Sequence, residues 1–505
     1  GSRLKGGGGG GGTQKQLSLH AGDLDTSQGG ILSSGGNQTL SVAGLLNNSQ
    51  GGSIDSGAEL TLQTTTLDNR SGTLNARQAL AVTATAVDNR QGNLIGNGAV
   101  SLTLLQTLIN SNGKLASGGP LQLQAQQVDN QGGQLVSKGL LTVLTGGLDN
   151  RNRGTVAAND RLIVNASGAV DNGAEGLIYS QQGDLSLRAA SLDNQQGTLQ
   201  SQGALTLEVS GDIDNQRGRV LAQDAELKLN AANLDNQGGV LTSLHANLTA
   251  YLSGWLRNGL DLLNQQGGII QAERLNLTAL AGIDNQGGRI AAQAGDVQLT
   301  TASLDNRSGG LYAAQRINLS GTDLDNRSGQ IAAQHIDLSL AGALNNALGI
   351  VESDSTLSIG AASVDNQNGQ LRALGPSGAT VFQIGGLFDN RNGRVESANT
   401  DIRLALGGLL NTDGTLLHVG DGTFDIATAN VINAGGSLIT RGGLTLSADN
   451  WTNSSIIQAG RLNVNVNHFT QTATGQLLAG NSLVGMGVSW SNDGLIARDG
   501  SLDLG

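Results

Sequence analysis

A short motif, an apolar residue followed by aspartate and asparagine, recurs along the chain and constrains its fold more than any other feature. From Thr26 to Asn492 there are 22 steps between successive copies, a mean period of about 21 residues. A fixed period of this kind indicates a repeat architecture, in which each unit buries its apolar face only against its neighbours. The asparagines of the complete motifs are Asn69, Asn89, Asn130, Asn150, Asn172, Asn194, Asn215, Asn236, Asn285, Asn306, Asn326, Asn366 and Asn390.

Degenerate copies of the motif fill the gaps between the complete ones. Thr26 and Gln471 occupy the asparagine position in two of them. After this position, each unit continues with a glycine and with two short runs in which apolar and polar residues alternate, a pattern typical of strands separated by turns. The other degenerate copies are assigned to Asn48, Asn110, Asn264, Asn346, Asn411, Asn433, Asn453 and Asn492.

Strands this short cannot bury their apolar residues within one unit, so the units must stack. Three short strands per coil and about 23 coils predict an all-β fold, a right-handed parallel β-helix, over residues 13–505. With about 4.8 Å between neighbouring strands, such a stack forms a rod on the order of 110 Å long. We expect the rod to be monomeric.

Alternation within the motif places the apolar residue inside, the aspartate outside and the asparagine inward at the turn. Stacking aligns equivalent residues in columns along the axis. The asparagines of the complete motifs are therefore predicted to form a structural column whose amides hydrogen-bond from coil to coil, as in other stacked parallel strands.

Composition excludes several classes of function. The 505 residues include 78 glycines and 2 prolines, which argues against collagen and supplies positions that tolerate positive φ in tight turns. Cysteine is absent, which excludes disulfides, thiol catalysis and zinc–thiolate sites. A net charge of −12 without a basic run argues against nucleic acid as a partner. The five histidines lie in different coils without ligand spacing, so neither a metal site nor a cofactor is expected.

The outward aspartates allow two interpretations. A column of carboxylates could bind calcium or act in acid–base chemistry. Six of the 13 complete motifs are followed directly by arginine, and aspartate commonly accepts backbone hydrogen bonds in turns. The structural interpretation, a turn with a neutralised aspartate, is therefore favoured over a calcium ladder.

Two coils are longer than the period and are predicted to be enlarged, at residues 237–263 and 367–389. The first contains His245, Tyr251, Trp255 and Arg257, residue types that anchor interfaces and stack on sugars, and it is the candidate binding site. The alternative is that its leucines and Trp255 pack on the rod as a short helix.

The two ends of the chain differ from its middle. Residues 1–12 carry no pattern able to bury surface and are predicted to be a flexible glycine-rich linker or an addition to the natural chain. From about residue 440, the apolar position of the motif becomes aromatic at Trp451, Phe469 and Trp490. Their spacing indicates a stacked core column rather than a platform for a ligand.

The motif resembles the repeats of filamentous-haemagglutinin-type exoproteins, which include the effectors of contact-dependent growth inhibition. The resemblance rests on segments such as 324–331 (LDNRSGQI) and 128–135 (VDNQGGQL) and extends over about residues 13–505. It implies secretion by a Gram-negative bacterium through an outer-membrane two-partner transporter, and a β-helical stalk that displays adhesive or toxin parts. The chain lacks the secretion-domain and toxin features of that family, so we expect it to be a segment of a larger fibre.

Three functions are compatible with these observations. The first is a structural stalk that projects an adhesive, receptor-binding or toxin tip from the cell surface. The second is an adhesin that binds a cell-surface receptor or glycan through residues 237–263. The third, a polysaccharide-degrading β-helix enzyme, rests on fold analogy alone, and the short turns argue against the long loops that such a cleft needs. We therefore expect no catalytic residues.

Overall fold

The computed structural model describes residues 3–5, 15–431 and 434–504, and every regular element among them is a strand. The chain divides into two compact units, Gly1–Leu252 and Ser253–Gly505. Each unit is a parallel β-solenoid, and over both units there are about 23 coils spaced roughly 21 residues apart. The predicted all-β, coiled parallel architecture is thus confirmed. The described part of the chain contains no helix able to cross a membrane.

Most coils of the first unit contain three short strands, two of which merge into one longer strand in several coils. In most of the short strands, buried residues alternate with more exposed ones, as the period of two in the sequence requires. The strands are Arg3–Lys5, Leu17–Ala21, Leu24–Asp25, Ile31–Ser34, Gln38–Val42, Leu45–Asn47, Ser53–Ser56, Leu60–Gln63, Thr66–Asp68, Thr73–Ala76, Leu80–Asp88, Asn93–Gly96, Val100–Ile109, Lys114–Ser117, Leu121–Asp129, Gln134–Ser137, Leu141–Asp149, Thr155–Ala158, Leu162–Ala166, Ala169–Asp171, Leu177–Ser180, Leu185–Ala189, Ser191–Asp193, Thr198–Ser201, Leu205–Val209, Ile213–Asp214, Arg219–Ala222, Leu227–Ala231, Leu234–Asp235, Val240–Ser243 and Leu248–Leu252.

The second unit repeats this arrangement, and its strands lengthen towards the C-terminal end. They are Trp255–Arg257, Ile269–Ala272, Leu275–Ala279, Gly282–Asp284, Arg289–Ala292, Val297–Thr301, Ser303–Asp305, Gly310–Ala313, Arg316–Gly321, Asp323–Asp325, Gln330–Ala333, His335–Leu340, Ala343–Asn345, Ile350–Ser353, Leu357–Ala361, Ser363–Asp365, Gln370–Ala373, Thr380–Asp389, Arg394–Ser397, Ile402–Leu410, Thr415–His418, Thr423–Val431, Ser437–Thr440, Gly443–Asn453, Ile456–Gln471, Gln476–Met486, Ser489–Asn492, Leu495–Arg498 and Ser501–Leu504.

Strands pair in parallel with their equivalents one coil away, which aligns like residues into apolar columns. In the first unit, Leu74 pairs with Leu94, which in turn pairs with Leu115, and all three are fully buried. The second unit has the same arrangement at Ile290, Leu311 and neighbouring coils. Because each coil contributes one thin layer of aliphatic side chains, the core needs few large rings.

A tight turn follows each motif and shows why glycine is placed where it is. In the coil of Asn69, the amide of Gly72 donates to the Asn69 carbonyl oxygen at 3.0 Å, and Ser71 has a φ of 55°. A Cβ on Gly72 would lie 2.0 Å from the Asn48 carbonyl oxygen. In this turn serine adopts the positive φ, and glycine allows the coils to approach, whereas glycine itself has a positive φ in other turns, as at Gly132.

The enlarged coil at 367–389 contains an extra loop at residues 374–379, between the strands Gln370–Ala373 and Thr380–Asp389. The side-chain amide of Asn399, from the next coil, donates to the carbonyl oxygens of Gly375 and Ser377 at 2.9 and 2.8 Å. Phe382 is buried and contacts Phe388 edge to face, with ring centres 5.9 Å apart. The additional residues therefore form a loop fixed to the surface of the solenoid.

The aromatic residues near the C-terminal end stack in register. Trp451 pairs with Phe469, and Phe469 pairs with Trp490, whose rings lie 4.8 Å apart between centres. Trp451 and Phe469 are each 1% exposed. Trp451 and Phe469 are therefore part of the core, as the spacing in the sequence indicates, whereas Trp490 is only partly buried.

The first residues differ from their prediction in one respect. Within the proposed linker 1–12, Arg3–Lys5 forms a strand that pairs in parallel with Ile31–Ser33. Backbone pairing needs no apolar side chains, which is why the hydropathy pattern does not reveal it. Residues 6–12 and Asn433, which was assigned to the asparagine position, lie outside the described residues.

Candidate functional site

The asparagines of the motif form a buried column inside the first unit. Each turns its side chain inward, and from Asn48 to Asn215 the Nδ2 donates to Oδ1 of the asparagine one coil further on, at 2.7 Å from Asn69 to Asn89. The same amide group also donates to the carbonyl oxygens of Gly72 and Asn93. At the start of the column, the hydroxyl of Thr26 donates to Oδ1 of Asn48. The buried asparagines of the column are Asn48, Asn69, Asn89, Asn110, Asn130, Asn150, Asn172, Asn194, Asn215 and Asn236.

The second unit has an equivalent column. Asn306 receives a hydrogen bond from Asn285 and donates to Asn326, both at 2.7 Å. Near the C-terminal end, Asn453 donates to Gln471, which donates to Asn492, so glutamine serves as a longer substitute. The fully buried asparagines here are Asn258, Asn285, Asn306, Asn326, Asn346, Asn366, Asn390 and Asn411.

This column matches the bonding capacity of an amide side chain. A buried polar group without a partner costs roughly 1–3 kcal/mol, so a buried column is stable only if donors and acceptors are both satisfied. An asparagine supplies two N–H donors and one carbonyl acceptor, whereas an ionised aspartate only accepts. The column is therefore a structural element that holds coils in register, and it offers no group for catalysis.

The aspartate of the motif lies outside and stabilises the turn. Asp68 Oδ1 accepts the Arg70 amide at 3.1 Å and its Nε at 2.9 Å. Hydrogen bonds from the Arg70 side chain hold the pKa of Asp68 below its ordinary value. Where glutamine replaces this arginine, its uncharged amide can donate to an aspartate, as Gln131 does to Asp149 of the neighbouring coil at 2.9 Å. These contacts fit the structural interpretation of the aspartates.

Of the four candidate binding residues, His245 and Tyr251 lie in the first unit. His245 is exposed, and its Nδ1 lies 3.2 Å from Oδ1 of Asp224. Tyr251 points outward from the strand Leu248–Leu252 and is 49% exposed. The strand contradicts the alternative of a short helix, because Leu248, Ala250 and Leu252 fill regular inward positions.

Trp255 and Arg257 lie in the second unit, on the strand Trp255–Arg257. Leu256 between them points into the core, so both side chains lie on the outer face. The Arg257 guanidinium carbon lies 4.2 Å from the centre of the Trp255 ring, a distance that makes a cation–π contact. The outer face of the indole is thus in contact with arginine.

The first enlarged coil differs from its prediction. Asn258, not Asn264, occupies the column, donating to Asn285 at 2.8 Å, whereas Asn264 is exposed in a turn. The additional residues are 259–268, and Asp261 shapes them by accepting the amides of Leu263 and Asn264. The loop presents Leu262 and Leu263, which are 84% and 74% exposed.

The assignment of Asn264 is a plausible error, because residues 262–268 (LLNQQGG) imitate the motif more closely than 256–259 (LRNG) do. The step of 22 residues from Asn236 to Asn258 is the signal that could have found the correct asparagine. Among the described residues, no three histidine, aspartate or glutamate side chains lie close enough to hold a metal ion.

The model of the family described as "Haemagglutinin repeat" matches the chain nine times. The matches cover residues 6–63, 33–112, 100–174, 180–216, 206–250, 243–298, 292–347, 335–392 and 377–425. Together they span well over half of the chain, which confirms the family resemblance seen in the sequence. No solved structure matches the chain.

Three curated relatives are similar to this chain over parts of its length. "Deoxyribonuclease CdiA" of Dickeya dadantii is 30% identical over 40% of the chain and 6% of the relative. "tRNA nuclease CdiA" of Yersinia mollaretii is 26% identical over 42% of the chain and 8% of the relative. "Toxin CdiA" of Escherichia coli is 29% identical over 68% of the chain and 10% of the relative. The matched parts thus cover at most a tenth of each relative's length.

Proposed function

The chain belongs to the haemagglutinin repeat family, and from this membership we propose that it is a stalk segment of a large surface exoprotein of a Gram-negative bacterium. In this role it holds an adhesive, receptor-binding or toxin part of the same polypeptide away from the cell. The observation that carries the proposal is the repetition, within each unit, of the same buried amide column and the same aliphatic layers from coil to coil. Such repetition adds length without adding a new kind of site.

The names of the relatives describe nucleases and a toxin, and we assign those activities to the relatives alone. The parts of this chain that match them consist of repeat coils, and they correspond to 6–10% of the relatives' length. For this chain we propose a mechanical contribution to proteins of that kind, in which the repeats separate the active part from the cell envelope.

Deleting a whole coil tests the stalk proposal. Removing residues 286–306 joins Asn285 to Arg307, which restores an intact motif, so we expect the variant to remain folded with a cooperative thermal transition. Removing residues 286–296 deletes about half a coil and should disrupt the second unit, because inward residues would face outward. Circular dichroism and limited proteolysis measure both outcomes. Unfolding of the whole-coil variant would contradict the role of the coil as a modular spacer.

We further propose that the chain is exported through an outer-membrane transporter of the two-partner type. The absence of cysteine supports this, since no disulfide can form before the chain has crossed the membrane. When the chain is joined to the secretion domain of such a system, we expect it in the medium only if the cognate transporter is co-expressed. Sedimentation analysis of the secreted product should then give the mass of a monomer.

A second candidate function is attachment to a receptor or glycan through the predicted site. The exposure of Tyr251 in the first unit supports it, as does the exposure of Leu262 and Leu263 in the second. Replacing Tyr251 and Trp255 with alanine should abolish attachment of the purified chain to cells while leaving thermal stability unchanged. A double variant Leu262→Ser/Leu263→Ser tests the adjacent loop separately. Attachment that persists in both variants would exclude this function.

A further inference from the structure

A pocket on the outer face of the second unit lies in coils of regular length, away from both enlarged coils. Its volume is about 580 Å³, and residues of three successive coils line it. Its wall combines one aromatic ring, one cation and several neutral polar groups, which offer a small polar ligand a surface for stacking, a charge and hydrogen-bond partners. The lining includes Arg289, Ser308, Gly310, Tyr312, Ser328 and Gln330.

The Tyr312 ring is held flat against the sheet. Gly310 precedes it by two residues on the same outer face, and the ring lies so close that a Cβ on Gly310 would be 2.4 Å from Tyr312 Cε2. Gly310 is consequently buried although the strand position faces outward. The phenol hydroxyl donates to Gln330 Oε1 of the next coil at 3.0 Å. The ring is thus fixed on one face and at its tip.

Arg289 borders this ring from the preceding coil. Its side chain is exposed and makes no ion pair or side-chain hydrogen bond within the described part of the chain. Its guanidinium carbon lies 5.5 Å from the centre of the Tyr312 ring, compared with 4.2 Å in the closed Arg257–Trp255 pair. The five N–H donors of Arg289 therefore remain available to a ligand at the ring. Arg307, by contrast, donates to Asp305.

We propose that this pocket binds a six-membered sugar ring that carries a carboxylate, as in uronic or sialic acids. The C–H face of the sugar packs on Tyr312, its carboxylate pairs with Arg289, and its hydroxyl groups bond Gln330, Ser308 or Ser328. A planar guanidinium suits a carboxylate because it donates two parallel hydrogen bonds. A nucleotide would also stack on tyrosine, but the single cation in the wall matches one carboxylate better than a phosphate chain, which would need several cations.

This site goes beyond the stalk function and does not depend on it. It differs from the adhesin site at 237–263, and its residues cannot be recognised from the repeat pattern, because Arg289 and Tyr312 are 23 positions apart in sequence. They become neighbours only because adjacent coils align in register, with Arg289 beside Gly310.

Saturation-transfer NMR on the full chain tests the proposal with three probes: methyl β-D-glucuronide, its neutral counterpart methyl β-D-glucoside, and a methyl sialoside. We expect an acidic sugar to bind more tightly than the glucoside. Tyr312→Ala should weaken its binding at least about tenfold. Arg289→Met, which keeps the side-chain stem, should remove the preference for the acid, a loss of about tenfold. Absence of binding by both acidic sugars, or binding of AMP in their place, would overturn the proposal.

Two further variants separate the site from a structural effect. Gly310→Ala leaves every ligand-contacting residue unchanged but displaces the Tyr312 ring from its position, so it should reduce binding as much as Tyr312→Ala does. Tyr179→Ala is the matched control, since Tyr179 occupies the equivalent strand position in the first unit. The residue two positions before it is Leu177, where the second unit has Gly310 before Tyr312. Binding unaffected by Gly310→Ala, or lost in Tyr179→Ala, would contradict the assignment.

Discussion

A single asparagine connects three consecutive coils in this molecule. Asn306 accepts a hydrogen bond from Asn285, donates one to Asn326 and reaches the Gln330 carbonyl oxygen through the same amide. An amide side chain can donate along the axis in one direction and accept from the other, which an ionised aspartate of the same size cannot do. The motif in the sequence therefore reports a geometric requirement of stacking, whereas the aspartate before it serves the local turn.

The first prediction concerns this asparagine. Asn306→Leu leaves the donor of Asn285 and the acceptor of Asn326 without partners, so the free energy of unfolding should fall by about 2–5 kcal/mol. Asn276→Leu is the control, since Asn276 is exposed on the outer face of a neighbouring coil, and it should change stability by less than about 0.5 kcal/mol. Chemical denaturation measures both; equal effects would refute a structural role for the column.

The second prediction concerns pH. The pKa of Asp68 is lowered in the folded protein by the Arg70 side chain, so its stabilising contribution is present above the unfolded pKa of about 3.9. That contribution is lost as the pH falls through the lower pKa of the folded state. Because the pair is at the surface, Asp68→Asn should cost less than about 1 kcal/mol at pH 7. Denaturation near pH 2 should give the same stability for both proteins.

At the scale of strands and turns, the sequence predicts the period and which residues face inward. It fails where a second segment imitates the motif, as residues 262–268 do beside Asn258, because the choice depends on how Trp255–Arg257 aligns with Gly282–Asp284 in the next coil. The Tyr312 pocket escapes prediction for a related reason. Its shape depends on the absence of a side chain at Gly310. A search of the sequence for residue types that carry function does not select a glycine.

The third prediction concerns the last two positions of a turn, Gln91 and Gly92. Gln91 adopts a φ of 56°, and Gln91→Gly should be neutral or stabilise by up to about 1 kcal/mol through relief of that conformation. Gly92→Ala should instead destabilise by about 1–3 kcal/mol, since a Cβ would lie 2.1 Å from the Asn69 carbonyl oxygen. Thermal melting of both variants checks the order. Stabilisation by Gly92→Ala would show that the coils can separate.

At the scale of the whole molecule, the comparisons place the chain in a family already indicated by its repeats. The sequence reveals the family because the same stacking requirement acts on every coil. A wrong assignment in one coil, such as Asn264, therefore does not change the identification. What the repeats do not reveal is the function of the parts they connect, because the repeats themselves encode only stacking.

The fourth prediction concerns length. Deleting residues 286–366 removes four coils and joins Asn285 to Gln367, so the second unit should shorten by about 19 Å along its axis, at about 4.8 Å per coil. Small-angle X-ray scattering of the variant and the parent chain measures the change in maximum dimension. An unchanged dimension with retained secondary structure would show that the coils do not stack as independent layers.

The asparagine columns also determine how the chain finds its fold. The hydrogen bonds from one asparagine side chain to the next join residues only 20 to 27 positions apart, wherever along the chain they lie. The entropy lost in closing a loop depends on the length of that loop, so each new coil closes at nearly the same entropic cost as the previous one. A chain that gains or loses whole coils therefore folds through the same local steps as before. The length of the repeat region is consequently free to change in evolution.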